Sequence, residues 1–175
     1  MKITSIGIDL AKTVLQVHGV DAHGKVGLRK QLKRKDVLSF VANVEPCLIG
    51  MEACGRAHYW ARKFSEFGPT VRLMAPQFVK AYVKTNKSDR NDAEAICEAV
   101  GRPNMRFVPV KTAPMQRVLA VHRARQGFVR ARTAQAHQIR GLLAEFGIVI
   151  PKGIWHIPKR LPEILEDGER TGCRE

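Results

Sequence analysis

Four carboxylates carry the chemistry that this chain could perform: Asp9, Glu52, Asp89 and Asp92. Asp9 interrupts an apolar run, Ile6-Gly7-Ile8-Asp9-Leu10-Ala11-Lys12. Glu52 ends a second run, Cys47-Leu48-Ile49-Gly50-Met51-Glu52-Ala53. Asp89 and Asp92 open the helix-like stretch Ser88-Asp89-Arg90-Asn91-Asp92-Ala93-Glu94-Ala95-Ile96. An acid at the centre or tip of a buried strand is costly to desolvate, so its presence needs a reason. A divalent cation is one such reason. Mg²⁺ takes a few carboxylates together with waters and phosphate oxygens. Two such ions can activate an attacking oxygen and stabilise a leaving oxygen in phosphodiester chemistry.

The elements that must position these acids are legible from periodicity. Residues 3–10 read as a buried strand, 13–20 alternate as a half-buried strand, and 25–32 pair back after a turn at Asp21-Ala22-His23-Gly24. Residues 34–44 carry Val37, Leu38, Val41 and Val44 at helical spacing. Residues 47–52 form a short continuous strand that suits a central position. A helix over 56–67 closes at Gly68-Pro69, residues 70–75 form a fifth strand, and a further helix starts near Asp89.

Three antiparallel strands followed by αβαβα is the layout of the ribonuclease H-like fold, an α/β architecture with a five-stranded mixed sheet and flanking helices. In that layout the first and fourth strands are neighbours, which sets Asp9 and Glu52 about 5 Å apart. The i, i+3 spacing of Asp89 and Asp92 puts both on one helix face, at the sheet edge where phosphate-bearing ligands commonly bind. Plainer readings exist for each acid. Glu52 could cap the helix that follows. Asp89 could be an N-cap, and Asp92 a first-turn acid favoured by the helix dipole.

The 175 residues suffice for one medium domain and an appendage, and 45% are hydrophobic. The net charge is +14 and the pI about 10.2, which favours a polyanionic partner, nucleic acid first. Cys47, Cys54, Cys97 and Cys173 form no C-x-x-C and complete no zinc spacing with histidine, so they read as reduced thiols of a cytoplasmic protein. The N-terminus is no signal peptide, since Asp9 and Lys12 break its apolar run. No stretch is long enough to span a membrane.

From about residue 112 the character changes to one long helix. Val121, Ala124, Phe128, Ala131, Gln135, Ile139, Leu142 and Phe146 follow each other in steps of three and four, the seam of a packed or coiled-coil helix. Arg117, Arg123, Arg125, Arg130, Arg132 and Arg140 occupy the other faces, and no acid occurs from Thr112 to Ala144. An ordinary surface helix mixes charge signs. This one suggests a homo-oligomer contact with arginines facing phosphates. Lys12, Lys84, Lys87 and Arg90 lie close to the acidic motifs and are further nucleic-acid contacts by position. His58 and Tyr59 read as packing or surface, and Trp60 and Phe64 as core. The tail from Pro151, with Pro158, Pro162, Gly168 and Gly172, reads as too short for a second domain.

The stretches Gly7-Ile8-Asp9-Leu10-Ala11-Lys12, Met51-Glu52-Ala53-Cys54-Gly55 and Lys87-Ser88-Asp89-Arg90-Asn91-Asp92-Ala93-Glu94-Ala95-Ile96 resemble, in order, the three acidic motifs of DEDD transposases of the insertion-sequence-110 family. The third is the most specific. The resemblance implies a RuvC-like domain over 1–110, with Asp9, Glu52, Asp89 and Asp92 as catalytic ligands of Mg²⁺ (or Mn²⁺). A basic helical arm over 111–150 and a short tail over 151–175 would follow. It also implies DNA transposition of a bacterial or archaeal insertion sequence, guided by a structured RNA. Members carry a second domain with a nucleophilic serine. The expectation is that this chain stops before it, since Ser5, Ser39, Ser65 and Ser88 have no claim to that role.

Three functions follow as alternatives. One is a metal-dependent transposase domain. Another is a catalytically incomplete RuvC-like module that binds nucleic acid. The last is a stand-alone RuvC-like nuclease. An actin-like kinase also begins with Gly-Ile-Asp, but it needs a second phosphate-binding glycine motif and an adenosine motif, which the sequence does not show.

Overall fold

Strand β1 (Ser5–Leu10) is buried on both faces and organises everything around it. Its period-two alternation turns Ile6, Ile8 and Leu10 to one side, where they join the main apolar core. Gly7 and Asp9 turn to the other. The computed structural model describes residues 1–83 and 89–170, with side chains as far as Glu166. Lys84, Lys87 and Cys173 lie outside the described residues.

The chain forms two units, Met1–Met115 and Gln116–Glu175. In the first, β2 (Val14–Val20) pairs antiparallel with β1, and β3 (Val26–Lys33) pairs antiparallel with β2. The turn between them is held by Asp21, whose Oδ1 accepts the backbone N–H groups of His23 and Lys25, both at 2.9 Å. Helix α1 (Val37–Ala42) follows a single 3-10 turn over Arg34–Asp36. Then β4 (Leu48–Glu52) runs parallel to β1, helix α2 (Ala57–Ser65) crosses over, and β5 (Thr70–Met74) runs parallel to β4. A short α3 (Pro76–Val79) leads to α4 (Asp89–Val100). The sheet order is β3-β2-β1-β4-β5-β6, the ribonuclease H-like arrangement that the strand pattern predicts.

The strand count differs from the expected five. A sixth strand, β6 (Phe107–Val108), pairs antiparallel with the end of β5. Two residues are too few to show a period, and Phe107 is fixed there by the Arg72 guanidinium, 4.8 Å from its ring centroid.

One sheet face carries the main core. Ile6, Ile8, Leu15, Ile49, Met51 and Leu73 pack under Val37 and Val41 of α1 and under Trp60 and Phe64 of α2. Each such fully buried side chain stabilises the fold by about 1.5–3 kcal/mol. The opposite face is covered by α4, with Ile96, Ala99 and Val100 packed near Met74 and Val79. Two glycines permit this seating. A Cβ on Gly7 would collide with the α4 backbone at Ala93 O and Cys97 N, and one on Gly50 would stand 2.7 Å from Val100 Cβ. The sheet face under α4 is bare backbone at those two points, so the helix lies directly upon it.

The second unit begins within α5 (Ala113–Glu145), the long helix expected from the arginine-rich seam. A Schellman turn ends it: Gly147, at φ 76°, donates to Ala144 O and Ile148 donates to Leu143 O, both at 3.0 Å. In the tail, to which the sequence assigns no element, α6 (His156–Arg170) is helical. Pro158 sits in the first turn, where its missing N–H costs nothing. Ile157 then joins Ala136 and Ile150 in a small separate core, with Ile139, Leu143 and Ile164 against it. No helix among the described residues is long and apolar enough to cross a membrane.

Gly7→Ala is expected to destabilise the chain by about 2 kcal/mol, the scale of overpacking a close backbone contact. Gly127→Ala is the matched control. It lies inside α5 with nothing within 4 Å of an added Cβ, and should gain about 0.5–1 kcal/mol. Thermal melts of both variants check the contrast, and a Gly7→Ala melt at or above the parent would show that α4 does not rest on β1.

Candidate metal centre

The end of β1 and the first turn of α4 supply the site. Since α4 lies on Gly7, the next residue of that face, Asp9, comes under the helix N-terminus. Asp9, Asp89 and Asp92 offer carboxylate oxygens that all lie within 4.8 Å of one another. Asp9 and Asp92 are half-buried and Asp89 is exposed. Residues 9 and 89 are far apart in sequence, so only this topology joins them.

Glu52 is the exception to the expected set of four. The parallel register pairs Ile8 with Met51, so Asp9 and Glu52 follow one step later. Gly50 shows that this side of β4 also faces α4, and Glu52 is half-buried there. Its carboxylate is nevertheless not among the three that converge. The strand register places the Glu52 backbone next to that of Asp9.

The electrostatics are those of crowded like charges. Burial holds the Asp9 carboxyl above the usual carboxylate range, and the negative charges of Asp89 and Asp92 push it further. The Leu10 backbone N–H and the Arg56 guanidinium oppose the shift. The partial positive charge at the α4 N-terminus favours Asp89 and Asp92 in their first-turn positions. Hard, anionic oxygens converging from two elements are the donor set of Mg²⁺ or Mn²⁺, and thiols or imidazoles that would select softer ions take no part in the cluster. The residues present therefore fit such an ion.

Arg56 was not singled out by its sequence position. Its guanidinium donates to Leu10 O at 3.1 Å and to Ala11 O at 3.4 Å, clamping the end of β1 to the loop that follows β4. Its place four residues after Glu52 is the only hint that the sequence holds. His58 is buried rather than on the surface, and its Nδ1 accepts the Lys111 backbone N–H at 3.1 Å. Trp60 and Phe64 are core, as expected. Cys47, Cys54 and Cys97 are free thiols, with Cys97 pushed up to about 11, chiefly by burial.

The basic candidates divide. Lys12 and Arg90 are exposed near the carboxylates, and Arg117, Arg123, Arg125, Arg130 and Arg132 are exposed along α5. Arg140 is half-buried and donates to Gly153 O at 3.2 Å, so it ties α5 to the segment before α6. The apolar seam of α5 is largely open, with Val121 at 70% and Phe128 at 76% exposure.

Asp9→Asn should raise the melting temperature in chelator at neutral pH, by about 1 °C, since solvent screening at this half-exposed group leaves only a fraction of a kcal/mol. The sign follows from linkage. A raised native pKa means that the ionised form is disfavoured on folding, so the penalty is absent below the ordinary value of 3.8 and complete above the raised one. The variant's advantage should vanish in melts below that ordinary value. An advantage that persists there would have another cause.

Comparison with known proteins gives consistent relatives. The family model of DEDD transposases of IS110 type, described as transposase, matches residues 6–148. The chain is 60% identical over 149 residues to a probable family 20 transposase of Pseudomonas aeruginosa, covering 85% of this chain and 44% of that protein. It is 45% identical over 167 residues to the transposase for insertion sequence element IS1328 of Yersinia enterocolitica, covering 95% and 50%. It is 45% identical over 163 residues to the transposase for insertion sequence element IS1111A of Coxiella burnetii, covering 93% and 45%. The chain thus spans about half the length of the curated relatives it matches. Among solved structures, T. thermophilus RuvC in complex with Holliday junction substrate aligns with 55% of this chain and 90% of that one, at TM-score 0.37 and 16% identity. The fold assignment rests on the sheet order itself.

Proposed function

Because the chain belongs to the DEDD transposase family of IS110 elements, we propose that it is the metal-dependent N-terminal domain of a transposase that moves an insertion sequence by DNA recombination. The observation that carries this reading is the convergence of Asp9, Asp89 and Asp92 within 4.8 Å. Those three residues, with Glu52 beside them, would hold Mg²⁺ or Mn²⁺. The bound ion would supply charge neutralisation at a scissile phosphodiester. Arg56 holds the end of β1, and with it the Asp9 carboxylate, in place. Lys12 and Arg90 are exposed at the rim, where they bind and orient the phosphate backbone.

Calorimetric titration of the chain with MnCl₂ tests the metal centre. Saturable binding that Asp9→Asn abolishes is the expected result. Equal isotherms from parent and variant would remove Asp9 from the site. Nucleic-acid binding without any metal isotherm would favour the other reading, a RuvC-like binding module incomplete by itself.

DNA is the substrate on this reading, and a structured guide RNA and a second copy of the chain are partners. The support for both partners is α5. Its exposed arginines have no acid among them, and its seam of Val121, Phe128 and Leu142 is open. Two such helices attract through the seam and repel through their charges. A polyanion on the arginine faces removes the repulsion. Self-association should therefore appear in sedimentation when a short structured RNA is added, and recede in the double variant Arg125→Gln/Arg132→Gln. The same variant should flatten the dependence of log affinity on log salt by up to about 1.8, two phosphate contacts' worth. An unchanged slope would take α5 out of the binding surface.

A further inference from the structure

Beside the carboxylates lies a cleft of about 320 Å³ between α4 and the β2–β3 hairpin, lined in part by Gln16, His18, Arg29, Gln31, Arg90 and Asn91. Strand register fixes its relation to the metal centre. Asp9 pairs with Gln16 across β1 and β2, and Gln16 pairs with Gln31 across β2 and β3. Opposed residues share a face, so Asp9, Gln16 and Gln31 form one row under the start of α4. On the helix side, Arg90 and Asn91 stand between Asp89 and Asp92 in sequence. The carboxylate site and the cleft are adjacent positions on one surface.

Gln16 is the telling residue. It is only 8% exposed. Its side-chain amide makes no hydrogen bond to any described residue, yet no buried polar atom is left both sealed and unsatisfied. Its polar atoms therefore open into the cleft they line. A structural role would be filled better by Leu or Met, since an amide buried without a partner is costly. The charges that line the cleft are cationic on balance, with the Asp9, Asp89 and Asp92 carboxylates next to it. Arg29, Lys30 and Arg90 line the cleft, against Glu94, which sits 3.7 Å from Arg29.

We propose that this cleft receives a single unpaired nucleotide next to the phosphodiester held at the carboxylates. Gln16 and Gln31 hydrogen-bond its base edge, and Arg90 holds its phosphate. An amide offers a donor and an acceptor together, which suits a base edge and not a bare anion. The cleft volume falls within the range of sites for small ligands and is too small for a duplex. An unpaired nucleotide also costs less to place there than one drawn out of a helix. The inference rests on the metal-dependent reading above for the identity of its polymer.

The test compares affinities for a single-stranded oligothymidylate and an abasic oligodeoxynucleotide of equal length. The parent should prefer the base-bearing strand by about tenfold, the scale of one base-edge contact. Gln16→Met, close to the same shape, should lose that preference while keeping its Mn²⁺ isotherm and its melting temperature. Arg90→Gln should weaken both strands alike and keep the ratio. If Gln16→Met fails to fold, Gln31→Met at an exposed position must reduce the preference instead. A parent that binds both strands equally, or a preference that survives in Gln16→Met, overturns the proposal. An intact Mn²⁺ isotherm with no base preference sinks the cleft and leaves the metal centre standing. A base preference without a Mn²⁺ isotherm supports the cleft and sinks the metal reading.

Discussion

The direct seating of α4 on β1 and β4 is the constraint on which the rest depends. A helix normally rides on a sheet at side-chain distance. Here Gly7 and Gly50 remove the side chains, and α4 lies against strand backbone. The approach is what brings a first-turn helix acid to a strand-end acid. With larger residues at either position, Asp9 would remain at its strand end, and Asp89 and Asp92 would be lifted away from it. Fold and site are thus specified by the same two glycines, through the absence of atoms.

The arrangement runs against stability. Three carboxylates within 4.8 Å repel one another, and the carboxyl of Asp9 is held above its ordinary range by burial and by that repulsion. The fold offsets the cost through the positive end of α4 and through Arg56. Both act from the periphery: Arg56 spends its hydrogen bonds on the backbone oxygens of Leu10 and Ala11 rather than on Asp9. A cluster built only for structure would be neutralised by a lysine or arginine paired with it. Among the described residues no lysine or arginine forms an ion pair with Asp9, Asp89 or Asp92, which is the electrostatic condition for a cation.

What the sequence made legible is what repeats locally. The alternation of β1 and β2, the short apolar run of β4 and the helical spacing of α1, α2 and α5 all gave the correct element types, and the acids stood out because they broke those runs. What was not legible is whatever depends on a partner far along the chain. Two residues of β6 carry no period. Arg56 acts through carbonyls more than forty positions earlier, and α6 was obscured by Pro158 and Pro162, although Ile157 and Ile164 were spaced for one buried face. Glu52 shows the limit from the other side: its register beside Asp9 follows from strand pairing, yet its carboxylate is not among the three that converge within 4.8 Å. Gln16 was hidden because a polar residue in an alternating strand reads as solvent-facing, and only the seating of α4 makes it buried.

Strand register links the metal centre to the neighbouring cleft. Asp9 and Gln16 are opposed residues, held at the spacing of adjacent strands, about 5 Å. The β1–β2 pairing cannot slip by one residue, because that would turn Ile6, Ile8, Leu15 and Val17 out of the core. The distance between Asp9 and Gln16 is therefore set by the hydrophobic core on the opposite side of the sheet. Loops could not hold that separation, since they move with their ends. On the functions proposed for the two sites, the sheet acts as a ruler between them, and the apolar residues that never meet the substrate determine how the strand is placed.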